Sequence, residues 1–203
     1  MIIALNECMD MYLDEMLETN LHNCAKLAMS LLPHSCTVEN CIVTSSNGSS
    51  VTVVSKLVDY VLQAYLNPMR YDKIKQFWRS LMETEDPNLL TYVAPILDFY
   101  DKEFIIKVKK VAPLDRFGAI IYLPGEGTRN IQRDITDAIE RLGEYGLSQG
   151  DPRLSNIGQD LDTQRWVLFD YDNARADVSV DAIAHDLDTF KSSLRWIMDI
   201  RAP

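Results

Sequence analysis

The chain has 203 residues, of which 47% are hydrophobic and 25% are charged, so it can bury a sizeable core within one or two lobes. Thirty acidic residues against twenty basic ones give a formal net charge of −10. This is the wrong sign for a protein whose main task is to bind phosphate backbones, so we expect no nucleic-acid partner.

No apolar run approaches the roughly 20 residues that cross a bilayer, so we expect no association with a membrane. Several acidic residues precede Lys26, the first basic residue, which argues against a secretory signal. We therefore expect a cytoplasmic location, or the host cytosol if this is an effector or viral protein.

The cysteines Cys8, Cys24, Cys36 and Cys41 include no CxxC pair, and the chain has only three histidines. This spacing is a weak basis for a zinc site or for a disulfide framework. We interpret the four cysteines as reduced thiols in the core.

The first part of the chain predicts a helical segment, a hairpin and a further helical segment. Apolar residues recur at helical spacing over residues 5–32, as one long helix or two short ones, until Pro33 ends the run. Residues 37–56 are rich in β-branched side chains around a Ser-Ser-Asn-Gly-Ser turn, which predicts two strands. Residues 57–84 are interpreted as helical, with an interruption at residues 67–68.

The rest of the chain predicts a second hairpin and two helices around a short strand. After a break at Asp86-Pro87-Asn88, the segments YVAPILDFY and EFIIKVKKV flank a turn at Asp101-Lys102. A connection over residues 113–127 leads into an amphipathic helix whose apolar residues run from Ile131 to Leu142. The polar segment LSQGDPRLSNIG, the strand WVLFDYD and a helix from about Ser179 follow.

Three oxygen-bearing side chains in the C-terminal part suggest chemistry. Asp151 and Asn156 lie five residues apart in one short loop, and Asp170 follows an apolar strand. Mg²⁺ prefers carboxylate and amide oxygens and leaves positions open for phosphate, so Asn156 and Asp170 can hold it against a nucleotide. Asp151 is then left to orient an acceptor hydroxyl. Taken alone, the loop is more typical of an ordinary surface turn.

The spacing Asp151-x-x-x-x-Asn156, followed after a short hairpin by Asp170, resembles the catalytic loop and the metal-binding Asp of the protein-kinase-like superfamily. Arg153 stands at the place of that family's phosphate-facing Lys. Upstream, Val53-Val54-Ser55-Lys56 is similar to the third strand of the family, which carries its nucleotide-binding Lys.

Further segments extend this resemblance over much of the chain. Asp86-Pro87-Asn88-Leu89 looks like the family's His-Pro-Asn-hydrophobic turn, and residues 109–114 are similar to its hinge. Asp186 is similar to the buried Asp that accepts hydrogen bonds from the catalytic-loop backbone.

The resemblance implies an α+β, two-lobed protein-kinase-like fold with an antiparallel β N-lobe and a reduced, mainly helical C-lobe. The expected domains are an N-terminal helical extension at residues 1–33, a small lobe at 34–113 and a reduced large lobe at 114–203.

The sequence also departs from the family's pattern. Residues 33–46 contain no glycine where a glycine-rich phosphate loop is expected, and residues 73–76 offer no Glu to pair with the lysine. Gln149-Gly150 replaces His-Arg, so the arginine that answers activation-loop phosphorylation is absent. The segment between Asp170 and Asp186 is too short for a normal activation segment. This brevity resembles small atypical kinases, such as RIO kinases and the kinase of the KEOPS complex, and aminoglycoside-type phosphotransferases.

The resemblance implies an ATP- and Mg²⁺-dependent phosphotransferase that acts on protein Ser/Thr hydroxyls. In this first hypothesis Asp151 orients the hydroxyl, Asn156 and Asp170 hold the metal, Lys56 contacts the nucleotide phosphates, and Arg153 neutralises the transferred group. The alternative is a pseudokinase that binds or inhibits a protein partner without catalysis, which the missing glycine loop and Glu favour. A third possibility is a small-molecule kinase.

Overall fold

The computed structural model describes residues 19–46, 49–114 and 125–200. They form an α+β fold, as expected, with antiparallel strands in two sheets. The strands are β1 (Cys41–Ser46), β2 (Ser50–Ser55), β3 (Tyr60–Tyr65), β4 (Ile96–Tyr100), β5 (Ile105–Lys109), β6 (Ala112–Pro113), β7 (Ile157–Gln159) and β8 (Trp166–Leu168). The helices are α1, described over residues 19–30, α2 (Pro68–Met82), α3 (Gly125–Glu144) and α4 (Val180–Ile200).

The described residues divide into two compact units. The first contains the residues up to Tyr71 together with Ile96–Lys109, and the second contains Asp72–Pro95 and the residues from Lys110 onward. No helix among the described residues has both the length and the apolar character needed to span a bilayer. The domain limits expected at residues 33 and 113 stay a prediction.

The first unit is built on a five-stranded antiparallel sheet with the order β1-β2-β3-β5-β4. Side chains two residues apart on a strand share one face, so Val51 and Val53 are buried beside Leu62 on the neighbouring strand. Ala28 and Leu32 belong to the same buried cluster. The two predicted hairpins, β1–β2 and β4–β5, are confirmed.

Residues 60–65 were expected to be helical, and that expectation is wrong because they form β3. This strand pairs with β2 on one side and with β5 on the other. Four consecutive residues, Leu62, Gln63, Ala64 and Tyr65, are buried, so the strand lacks the alternation of apolar and polar residues that marks a half-exposed strand. A short apolar run of this kind cannot be distinguished from a buried helix by its periodicity.

The helix expected after residues 67–68 is confirmed as α2. Asn67 Oδ1 accepts a hydrogen bond from the Met69 backbone N–H at 2.9 Å, which satisfies one of the unpaired amides at the start of the helix. Pro68 occupies the first helical position, where a missing N–H costs nothing. The Asn-Pro pair therefore begins a helix rather than interrupting one.

The cysteines lie at the first unit's core. Cys24, Cys36 and Cys41 are free, partly buried thiols that pack against the buried cluster of α1, β2 and β3. Burial raises the pKa of the Cys24 thiol above its ordinary value. These three cysteines form no disulfide with one another, and Cys8 lies outside the described residues.

The second unit contains α3, α4 and the three-stranded sheet β6-β7-β8. The apolar stripe predicted on α3 is confirmed, since Ile131, Ile135 and Ile139 lie on its buried face. Asp134, also buried on α3, accepts the Trp166 N–H at 3.2 Å and so fixes β8 against this helix. The helix predicted from about Ser179 is confirmed as α4. Much of the connection expected at residues 113–127 lies outside the described residues.

Candidate functional site

The loop that carries Asp151 begins at the end of α3. Gly146 has a φ of 68°, and its N–H donates to Gly143 O at 3.0 Å. The next residue, Leu147, donates its N–H to Leu142 O at 3.0 Å, and both leucines are buried. This pair of bonds is the Schellman motif, in which a glycine in the left-handed region ends a helix and turns the chain. The local sequence thus directs residues 148–156 away from α3.

Asp151 is held by its own loop. Arg153 Nε donates to Asp151 Oδ1 at 2.6 Å, and a second guanidinium nitrogen donates to Oδ2 of the same carboxylate. Such a two-pronged contact is the strongest way in which arginine pairs with a carboxylate. The hydrogen bond to Asp151 and the attraction of its charge raise the pKa of Arg153, and the charge of Asp170 adds to this shift. The charge of Arg153 therefore interacts with the charges of both Asp151 and Asp170.

Asn156 joins the two ends of the same loop. Its Nδ2 donates to the Asp151 backbone O at 2.9 Å and to Asp151 Oδ2 at 3.2 Å. The Asn156 backbone O accepts the Phe169 N–H at 2.9 Å, which connects this loop to the end of β8. Asn156 is buried, whereas the Arg153 side chain is largely exposed.

Asp170 follows β8 in an unusual conformation. Its φ is 64°, in the left-handed region that residues other than glycine seldom adopt. Conformations of this kind persist where the surrounding structure enforces them, and they are concentrated at functional sites. The Asp172 N–H donates to Asp170 Oδ1 at 3.4 Å. Of the sequence-predicted site residues, the structure thus brings Asp151, Arg153, Asn156 and Asp170 together within the second unit.

Gly150 and Asp186 fix the backbone before Asp151. The Gly150 N–H and the Ser148 hydroxyl both donate to Asp186 Oδ2, at 3.2 Å and 2.6 Å, and Asp186 is 1% exposed. The contact between this buried carboxylate and the loop backbone is the one that the resemblance implies. Gly150 has a φ of 84°, and a Cβ there would lie 2.2 Å from Asn173 O. No side chain fits at that position without moving the neighbouring loop.

The expected placement of Lys56 on the third strand is corrected by the structure. Lys56 is exposed in the turn after β2, and the third strand is β3, whose sequence YVLQAY contains no lysine. The buried polar residue of that strand is Gln63. The displacement follows from the missed strand, since the sequence pattern assigned a helix to the residues that form β3.

The donor set fits a magnesium ion only together with a nucleotide. Asn156 and Asp170 supply an amide and a carboxylate oxygen, and Mg²⁺ is usually bound through one or two carboxylates plus phosphate oxygens and water. Among residues 19–46, 49–114 and 125–200, no group of three or more His, Cys, Asp or Glu side chains is placed to hold a metal. The described residues alone therefore offer no complete cage, and the fit depends on phosphate oxygens.

The sequence did not reveal a charged groove on the second unit. This groove has a volume of about 420 Å³ and lies beside α3, and its lining includes Asp137, Glu140, Glu144, Arg165 and Tyr92. The Arg165 guanidinium lies 4.9 Å from the centre of the Tyr92 ring. None of the four site residues that the structure brings together lines this groove.

The residue that sequence reasoning passed over at the site itself is Gln149. It was seen only as a departure from the family's His, yet it is 1% exposed and hydrogen-bonded to both loops of the site. The only feature of the sequence that could have pointed to Gln149 was its position two residues before Asp151. Its partners near Asp170 are some 20 residues away in sequence, so no local pattern reveals them.

A comparison with models of known protein families finds none that matches this chain, and a comparison with curated proteins finds no match either. Function must therefore be argued from the residues of the site and their geometry.

Proposed function

We propose that this chain is an ATP- and Mg²⁺-dependent phosphotransferase that acts on Ser/Thr hydroxyls of a protein substrate. The observation that carries the proposal is the hydrogen-bonded junction of the two loops. Asn156 contacts Asp151 through its side chain and the Phe169 N–H through its backbone, one residue before Asp170. A carboxylate to orient the hydroxyl and two oxygen donors for a metal are thereby held at one place.

The architecture of each unit supports a two-lobed protein-kinase-like fold. The first unit is built on an antiparallel sheet, and along the chain α2 follows β3 and precedes β4. The second unit is mainly helical, and its short β7–β8 hairpin separates Asn156 from Asp170. A cytoplasmic location, where ATP is plentiful, is part of the proposal.

Each residue of the loop has a role in this proposal. Asn156 and Asp170 hold the metal, and a bound Mg²⁺ supplies neutralisation of the phosphate charge. Asp151 accepts a hydrogen bond from the substrate hydroxyl and orients its oxygen toward the phosphate. Arg153, whose side chain is 61% exposed, neutralises charge on the transferred group. Because Arg153 also pairs with Asp151, it holds this carboxylate in a fixed direction.

A thermal-shift measurement with ATP, with Mg²⁺ and with both tests the nucleotide site. A ligand present at about a hundred times its dissociation constant stabilises the folded protein by about 2.7 kcal/mol. We expect a shift that requires both components and that Asp170→Asn removes. Asparagine is chosen because it tolerates the left-handed conformation of residue 170.

Asp188→Asn is the matched control, since Asp188 is an exposed aspartate on α4 of the same unit. The control variant should shift as the wild type does. Equal shifts for wild type and Asp170→Asn would contradict the role of Asp170. Transfer of label from γ-labelled ATP to Ser/Thr peptides then tests the reaction itself.

A pseudokinase that binds or inhibits a protein partner without catalysis is the second candidate. The observation that favours it is the absence of a lysine from β3, together with the exposure of Lys56 in a turn. A kinase site without this lysine aims the nucleotide phosphates less well. The absence of any thermal shift at saturating ATP and Mg²⁺ would select this candidate over the phosphotransferase.

A further inference from the structure

Gln149 occupies the space between the two loops of the candidate site. In the chain, Gln149 comes after the end of α3 and two residues before Asp151. It is 1% exposed. A buried amide must have its hydrogen-bonding groups paired, because an unpaired one loses its contacts with water without replacement. The partners of Gln149 therefore indicate what the residue holds in place.

The partners of Gln149 belong to both loops. Its Nε2 donates to Phe169 O at 3.0 Å and to Asp170 O at 2.6 Å. Its Oε1 accepts the Asp151 backbone N–H at 2.9 Å. One side chain thus bonds to the backbone of the candidate hydroxyl-orienting residue and to the backbone of a candidate metal ligand.

We propose that Gln149 is a positioning residue that couples the orientation of Asp151 to the left-handed conformation of Asp170. This inference rests on the proposed phosphotransferase function. The direction of the Asp170 carbonyl depends on the backbone angles of that residue, so a bond to this oxygen restrains the conformation that presents the carboxylate. The hydrogen bond from the Asp151 N–H to Gln149 Oε1 fixes the loop that carries Asp151 against the same side chain.

The amide is the side chain that this position requires. It offers two N–H donors to two carbonyl oxygens and one oxygen to an N–H. A glutamate has the same shape, but its ionised carboxylate can only accept and would face the Phe169 and Asp170 carbonyl oxygens. A methionine fills similar space and forms none of the three bonds. Histidine carries one ring N–H and can restore a single donor.

The inference predicts that Gln149→Met and Gln149→Glu reduce the turnover number for transfer from γ-labelled Mg-ATP to Ser/Thr peptides. A misplacement of about 1 Å in a catalytic group can cost about a hundredfold in rate, and we expect losses of that order. The KM for the peptide should stay close to that of the wild type, because Gln149 is buried and its side-chain hydrogen bonds go to the loop backbones. Gln149→His should recover part of the lost turnover.

Folding is controlled separately from positioning. Rates are expressed per folded molecule, from circular dichroism at the assay temperature, so a variant that merely unfolds in part keeps its turnover number. Gln159→Met is the matched control, since Gln159 donates only to Gln164 O at 3.0 Å within its own turn. Hydrogen exchange of the Asp151 amide provides a readout without activity, and it should be faster in Gln149→Met than in the wild type.

Two outcomes overturn the inference while leaving the proposed function intact. One is a Gln149→Met protein that turns over as the wild type does, and the other is a Gln149→His protein no better than Gln149→Met. A wild-type protein that shows neither phosphate transfer nor a shift with Mg-ATP overturns the proposed function, and the inference with it. This last result appears in the wild type before any variant is made, so the two failures are distinguishable.

Discussion

Asn156 Nδ2 lies 2.9 Å from the backbone O of Asp151 and 3.2 Å from its carboxylate Oδ2. A residue suited to bind metal through its Oδ1 thus holds the residue suited to orient a hydroxyl through its Nδ2. In the proposed function the two ends of one amide group therefore have two different roles, and the proposed chemistry depends on both.

Asp151→Asn should abolish most phosphate transfer and leave the fold intact. The substitution keeps the backbone O that Asn156 contacts, but it removes the charge that pairs with Arg153. General acid–base groups contribute about 10²–10⁴-fold to rate, so we expect a loss of about that size in turnover number. Peptide phosphorylation and a thermal melt on the same sample measure both effects. An Asp151→Asn protein with wild-type turnover would refute the assigned role.

Gly150→Ala should destabilise the second unit more than Gly146→Ala does. Both glycines have positive φ, so alanine at either position carries the strain of the left-handed region, about 1–2 kcal/mol. Only at residue 150 does the new Cβ also meet a backbone oxygen, Asn173 O at 2.2 Å, whereas the nearest atom at residue 146 is 3.9 Å away. Urea unfolding of the two variants measures the difference, and equal destabilisation would contradict the close approach.

Tyr171→Phe should destabilise the protein without altering its surface. The Tyr171 side chain is fully buried, and its hydroxyl donates to Ala94 O. Burial raises the pKa of this phenol far above its ordinary value, so the hydroxyl remains a donor. Removing it leaves a buried carbonyl unpaired, which costs about 1–3 kcal/mol. Tyr145→Phe, at an exposed ring, is the control in the same denaturant titration and should be near neutral.

Asp86 should make stability depend on pH in the acid range. The backbone N–H of Asn88 and the guanidinium of Arg141 lower the pKa of Asp86, and these effects outweigh its burial. A lowered pKa stabilises the folded state above the unfolded value of 3.8, and this contribution is lost as pH falls through the folded pKa. The stability gap between wild type and Asp86→Asn should therefore be largest near neutral pH and shrink on acidification. A gap that is constant from pH 7 to about pH 3 would contradict this linkage.

The elements that were predicted correctly from the sequence are those whose residues form a recognisable pattern within one short stretch of chain. The stripe from Ile131 to Leu142 has helical spacing, and the turn residues between β4 and β5 mark a hairpin. The strand β3 escaped prediction because Leu62, Gln63, Ala64 and Tyr65 are buried on both faces of the sheet, which removes the alternation of apolar and polar residues. Lys56 was misplaced as a result, since a helix was expected to follow it and the strand β3 follows instead.

In the candidate site, too, local sequence predicted some features and could not predict others. Asp151 and Asn156 could be found because they lie only five positions apart, with a proline-containing turn between them. The left-handed conformation of Asp170 and the contacts of Gln149 depend on segments that approach only in the folded chain. A pattern in one stretch of sequence carries no information about such contacts between distant stretches.

The close approach of Gly150 to Asn173 O also limits which substitutions residue 150 can accept during evolution. In the family that the chain resembles, an arginine at this position responds to phosphorylation of the activation segment. Here a single base change that introduced arginine would force a side chain into a backbone oxygen 2.2 Å from its Cβ. That form of control would therefore require a prior change in the Asn173 loop and could not arise from one mutational step.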